Sequence, residues 1–241
     1  MLKPVETTRV SDNVAHQLRT LIFSREFLAG TRLPTERVLA KRLRVHRSSL
    51  REALRRLEAE GLVEIRRGDG LYVRDFMKEA NLAALEAFLF APQSRQMEIF
   101  KAIQEFRLHF QCEMARLAAG RRTDADLAAL DQVVAAESRC TDPDEFRALD
   151  WSFAQAVARA SRNVIYSLCL NSVRDIHERW GGLYFSVPGT IEKTRRFHAL
   201  IARAVRTRRA ARAASVVRLL LEYSDPILLD GLVKFLGPET P

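Results

Sequence analysis

The sequence predicts a mainly α protein in two parts, a small basic head and a larger all-helical body, and three observations predict it. Apolar residues recur at helical spacing through most of the 241 residues. Extended patterning is confined to residues 62–73, on either side of a Gly-Asp-Gly turn. Positive charge gathers at the front: residues 1–75 hold 16 Lys and Arg against 10 Asp and Glu, a net of +6, and the remainder holds 23 against 20, only +3.

Composition narrows the function classes. A chain of this length with 47% apolar residues can bury one large core or two modest ones, and the change of pattern divides it into 1–75 and 76–241. No stretch approaches the roughly 18 apolar residues of a spanning helix, and MLKPVETTRVSDNVAHQL has no apolar signal core, so the expectation is a cytoplasmic protein with no membrane contact. Cys112, Cys140 and Cys169 lack CxxC spacing, which argues against a disulfide framework and a thiolate metal site. No GxSxG, HExxH, P-loop or paired-carboxylate pattern occurs, so no catalytic residue is assigned and an enzyme is not expected. The basic front suits nucleic acid, an anionic lipid surface or an acidic partner. Charge alone does not choose among them.

The elements of the head do choose. Val14, Leu18, Leu21 and Ile22 share one face of a first helix, with Ser11 available as its N-cap. The chain turns at Ala29-Gly30, and Thr35 can cap a second helix, Glu36 to Leu43, that buries Val38, Leu39 and Leu43. After a short turn at Arg44-Val45, a third helix starts at His46 or Arg47 and stops at Gly61, with Leu50, Ala53, Leu54 and Leu57 inward. Arg47, Arg51 and Arg55 form a row beside that stripe. Leu62, Val63 and Ile65, the turn Arg67-Gly68-Asp69-Gly70, and Leu71 to Val73 then read as a hairpin. Three helices and a hairpin make a winged helix-turn-helix.

In that architecture the first turns of the third helix enter the major groove of double-stranded DNA. Arginine there pairs bidentately with guanine O6 and N7, a contact of roughly 1–3 kcal/mol. Arg47 and Arg51 occupy those turns. Ser48 and Ser49, with the free amides of the helix start, suit phosphate oxygens. Arg55 and Arg56 are read chiefly as solvated, through i,i+4 pairs of Glu52 with Arg56 and Arg56 with Glu60.

From Leu18 to Val73 the segments LPTER, VHRSSLREALRRLEAEGL and RRGDGLYV stand in an order that resembles the N-terminal domain of the GntR family of bacterial transcription regulators. The resemblance implies that Arg37 is a further DNA contact. Gly68 and Gly70 would then let the wing tip approach the minor groove without a Cβ in the way. His46 stands where the family most often has serine or threonine, so its DNA contact is expected to differ.

Beyond residue 80 helical stretches follow at roughly 81–90, 95–119, 124–139, 143–160, 163–185, 190–207 and 209–235. An all-helical second domain is similar to that of the FadR subfamily, where it senses a small-molecule effector and dimerises. Most of that subfamily hold a metal on one aspartate and three histidines. Here Asp150 and His198 stand at two of the four positions, while Ala154 and Leu220 occupy the others. Two donors do not make a site, and no metal or other cofactor is expected.

The stretch from Ala148 to Gly189, with its LD-aromatic, AS-x-N-x-IY and Tyr-Phe pair, resembles the fatty-acid-sensing branch of the subfamily. That resemblance implies a long-chain acyl-CoA effector near Tyr184, Phe185, Ser224 and Lys234. Leu228 and Tyr223 depart from it, standing where a tryptophan and a glutamate are expected. Arg107 offers an alternative anchor for a small carboxylate. Pro226 is expected to break the last helix and start a new one beside Ser224, giving a phosphate a helix N-terminus. The whole reading is a homodimeric regulator, repressor or activator, that controls fatty-acid metabolism genes from a pseudo-palindromic operator and is released by its acyl-CoA effector; the alternative is a sensor of a small carboxylate, with or without a metal at Asp150 and His198.

Overall fold

The computed structural model describes residues 10–79 and 93–236. The chain separates into two compact units, 1–98 and 99–241. The helix expected at 81–90 lies outside the described residues.

In the first unit α1 (Val10–Phe23), α2 (Glu36–Leu43) and α3 (Arg47–Ala59) surround a core built from Val14, Leu18, Ile22, Leu50, Leu54 and Leu57. Two details differ from expectation. Ser11 lies inside α1, buried and without a side-chain hydrogen bond, so it does not cap the helix. Thr35 occupies the N-cap of α2 but makes no side-chain bond there, and Leu39 and Ala40, rather than Val38 and Leu43, are the buried residues. Arg44 closes α2 in the left-handed region at φ 54°, and its amide reaches Ala40 and Lys41 carbonyls. That reversal sets the sharp angle between α2 and α3.

The wing has three strands rather than two. β1 (Arg32–Leu33), β2 (Val63–Arg66) and β3 (Gly70–Val73) run antiparallel in the order β1-β3-β2, with Arg66 opposite Gly70, so three residues form the turn. A two-residue strand carries no sequence signal of its own; β1 forms because β3 has a free edge. Short α4 (Phe76–Glu79) follows, and Phe76 packs edge-on against Phe23.

A buried ion pair fastens this unit. Arg19 of α1 binds both carboxylate oxygens of Glu60, one of them from Nε at 2.8 Å, with the side chains only 5% and 7% exposed. The expected Arg56–Glu60 pair is therefore replaced: Glu60 turns inward, and Arg56 reaches Asp12 of α1 at 2.8 Å.

The second unit is helical throughout its described residues. It comprises most of α5 (Gln93–Arg121), then α6 (Asp124–Glu137), α7 (Pro143–Ala160), α8 (Val164–Ser172), α9 (Arg174–Phe185), α10 (Thr190–Arg206) and α11 (Ala210–Leu236). Local chemistry explains several boundaries. Thr123 and Asp126 form a reciprocal capping box before α6, and Asp142 caps α7 with Pro143 in its first turn. The single helix expected at 163–185 is instead two, because Val173 leaves helical geometry at ψ 14° with no glycine or proline to announce it.

Pro226 gives the opposite correction: it lies inside an unbroken α11. The missing proline N–H removes a bond to the Glu222 carbonyl. Leu221, Ser224, Leu228 and Leu232, spaced on one buried face, hold the helix together across that gap. Ser224 is therefore not beside a helix N-terminus, and the phosphate site expected there does not form.

Candidate functional site

The residues that the sequence assigns to DNA belong to α2, α3 and the wing of the first unit. Arg37, His46, Arg47, Ser48 and Arg51 are exposed, and Ser49 is half-buried. His46 is the N-cap of α3 in extended geometry and makes no side-chain cap bond, which leaves the first-turn amides for another acceptor. Arg51 Nε donates to Glu36 Oε2 at 2.7 Å across the gap between α2 and α3.

The wing glycines have different reasons to be glycine. Gly68, at φ 78°, turns the tip, and a Cβ there would meet nothing within 4 Å. Gly70, at φ 151°, faces Arg32, whose Nε would lie 2.7 Å from an added Cβ. Arg32 also donates to the Asp69 carbonyl. The absent Cβ at Gly70 thus makes room for an arginine of the same unit, a role not legible in the turn sequence.

The second unit contains a partly open cavity of about 160 Å³. Its walls are mostly apolar, among them Phe106, Phe110, Met114, Trp180 and Leu228. One polar group is built on Arg107. Its Nη1 lies 3.3 Å from Asp225 Oδ1, its Nη2 lies 3.3 Å from Ser224 Oγ, and Gln104 Nε2 donates to the same Asp225 oxygen at 2.7 Å. Burial lowers the Arg107 pKa and raises that of Asp225, each partly offset by the other's charge.

A second polar group lines the cavity. His198, 3% exposed, stacks on Phe153 with ring centroids 3.8 Å apart. Its Nδ1 donates to Glu137 Oε1 at 2.7 Å, and its Nε2 lies 3.4 Å from Asp150. His177 Nε2 approaches the other Asp150 oxygen at 3.4 Å. Burial opposes charge on His198, but the Glu137 hydrogen bond and the two carboxylates outweigh it and raise its pKa.

This set does not fit the metal held by most of the subfamily. The donors point at one another, Ala154 and Leu220 bring apolar atoms to the cavity wall, and among the described residues no group of three or more ligating side chains can hold an ion.

Tyr184 and Phe185 are both buried against the cavity. Tyr184 Oη bonds Thr194 Oγ1 at 3.1 Å, and burial pushes its pKa up to about 12. Arg107, Asp150, Tyr184, Phe185, His198 and Ser224 thus share one cavity. Lys234 does not line that cavity: it is exposed and paired with Asp230 one helical turn earlier at 2.6 Å.

Glu137, Gln104 and Asp225 escaped the sequence reading. Only Glu137 carries a signal, an acid one heptad after Leu130 on a stripe otherwise apolar.

Comparison with known proteins accounts for both units. The profile of bacterial regulatory proteins of the gntR family matches residues 10–73, and that of the FCD domain matches residues 102–223. The HTH-type transcriptional regulator Mce2R of Mycobacterium tuberculosis is 35% identical over 179 residues, covering 73% of this chain and 74% of that protein. The chain belongs to the GntR family.

This GntR regulator is also similar to the fatty acid metabolism regulator protein of Klebsiella pneumoniae, at 31% identity over 167 residues and 69% of each chain. A solved GntR family regulator from Pseudomonas syringae shares its fold, with a TM-score of 0.50 at 19% identity over 92% of this chain and 86% of the other. The family consists of transcription regulators and not enzymes, so the GntR chain is a DNA-binding transcription regulator with an effector domain. Among its described residues no helix is long and apolar enough to cross a membrane.

Proposed function

We propose that this GntR regulator acts in the cytoplasm as a homodimeric repressor, released from a pseudo-palindromic operator by a compact carboxylate with an apolar body. Each α3 would lie in the major groove of one half-site, the two centres one helical turn apart, about 34–36 Å. Arg37, Arg47 and Arg51 are assigned to base and backbone contacts. His46, Ser48, Ser49 and the wing at Gly68 and Gly70 are assigned to phosphates and the minor groove.

The observation that carries the effector reading is Arg107 at the edge of an apolar cavity. A guanidinium there can take both oxygens of a carboxylate. A cavity of about 150 Å³ in another protein holds a benzene ring, so about 160 Å³ suits a ligand of that order. Asp225 now occupies Arg107, and an incoming carboxylate would compete with it next to Pro226, where α11 already lacks a backbone bond. Displacing Asp225 is how the ligand would favour one conformation over the other, with a coupling of about 1–3 kcal/mol.

A long-chain acyl-CoA is the second reading, favoured by the apolar walls and the Klebsiella relative's name. It requires the cavity to widen and Lys234 to leave Asp230.

Native mass spectrometry of the purified protein separates the two readings. A co-purified small acid, with calorimetric affinity lost at least tenfold in Arg107→Ala, supports the first. A bound acyl-CoA, undiminished in Arg107→Ala, overturns it.

A further inference from the structure

The DNA-directed surface carries an acid where phosphates should repel one. Arg37, His46, Arg47, Ser48, Ser49 and Arg51 are neutral or cationic, yet Glu36, in the first turn of α2, stands among them with its side chain 28% exposed. Its carboxylate accepts from Arg51 Nε at 2.7 Å, while the Arg51 side chain is 62% exposed.

The choice of nitrogen matters. A guanidinium has one inner N–H, on Nε, and two outer groups, Nη1 and Nη2, that form the fork matching guanine O6 and N7. A partner on Nη would consume the fork. A partner on Nε leaves the fork free and fixes the plane of the group. An exposed arginine must otherwise lose the freedom of a long, flexible stem when it docks, and that loss counts against binding.

We infer that Glu36 is a positioning residue for base readout: held to Arg51 Nε, it presents the two outer nitrogens of Arg51 to the groove in a preset orientation. This rests on the proposal that α3 is the groove helix. The arrangement has a signature that charge neutralisation lacks. Glu36 lowers affinity for any duplex through repulsion, and raises affinity selectively for the duplex whose base meets the fork.

The test uses the full chain and two duplexes of equal length, one selected from a random pool by the unaltered protein and one with that sequence scrambled. Affinities are read by fluorescence anisotropy at one salt concentration. Glu36→Gln is expected to bind the scrambled duplex more tightly and the selected one no better, so that the ratio falls at least about fivefold. Glu36→Asp keeps the charge on a shorter stem; scrambled-duplex affinity should stay constant while the ratio falls. In an Arg51→Ala background neither change should alter the ratio.

Equal gains on both duplexes in Glu36→Gln, or an undiminished ratio in Glu36→Asp, overturns the inference while the groove assignment stands. If Arg51→Ala itself keeps the parent's ratio, Arg51 reads no base, and the assignment falls together with the inference. Thermal melts of each variant keep a folding defect from being read as lost specificity.

Discussion

Arg37, Arg47 and Arg51 of the head come from 15 consecutive residues and stand on the surface, whereas Glu137, Asp150, His177 and His198 of the body come from four helices and line or border a cavity. Exposed charges couple weakly to the fold, because water screens them and solvates whatever partner is lost. Buried charges couple strongly, because removing one leaves another in a medium that does not solvate it. The head can therefore change its surface arginines without risk to its core. The body cannot change its polar groups without changing its packing.

The largest expected effect tests whether burial, rather than membership of head or body, sets this cost. Glu60 belongs to the head but is buried on Arg19. Glu60→Ala should lower unfolding free energy by about 3–5 kcal/mol in urea titrations. A loss below about 1 kcal/mol would show that the pair contributes like a surface one.

Arg47→Ala should do the reverse, leaving the urea midpoint in place while weakening operator binding by about 1–3 kcal/mol. If mobility shifts show operator bound as tightly as by the parent, Arg47 is not in the groove.

Tyr184 sharpens the contrast in alkali. Its folded pKa of about 12 lies above the ordinary 10.0, so the phenol of the unfolded chain ionises first. Its contribution to stability is complete below pH 10 and is lost as pH rises towards 12, at up to about 1.4 kcal/mol per pH unit. Tyr184→Phe should flatten that decline in thermal melts across the window, and an unchanged slope would refute it.

The smallest effect belongs to the half-exposed Arg56–Asp12 pair. Asp12→Asn should cost no more than about 1 kcal/mol, with most of it gone in high salt.

Legibility followed the same division. The bounds of α2 and α7, the start of α3, the left-handed glycines at 61 and 68 and the paired strands were all readable, because each rests on contacts a few residues apart. Arg32 against Gly70 was not, since residues 38 apart in sequence meet only when β1 joins the sheet. Among the described residues of the body, the helical stretches lie where periodicity places them, but their interruptions do not follow from sequence: Val173 breaks a helix without a breaker, and Pro226 fails to break one. Propensity is worth at most a few kcal/mol per residue, and packing of the surrounding face overrides it at both positions.

By itself the sequence determined a winged helix-turn-helix followed by helices, the family, and the exposure of Arg37, Arg47 and Arg51 on α2 and α3, because helical periodicity and turn chemistry act over three or four residues. Only the tertiary structure decided that Glu137 meets His198, that Asp225 occupies Arg107, that Lys234 stays outside and that Glu36 holds Arg51 by its inner nitrogen. The pairings made by Glu137, Asp225 and Glu36 join side chains from different helices. No local pattern records such meetings, because they exist only once the apolar faces have chosen one another.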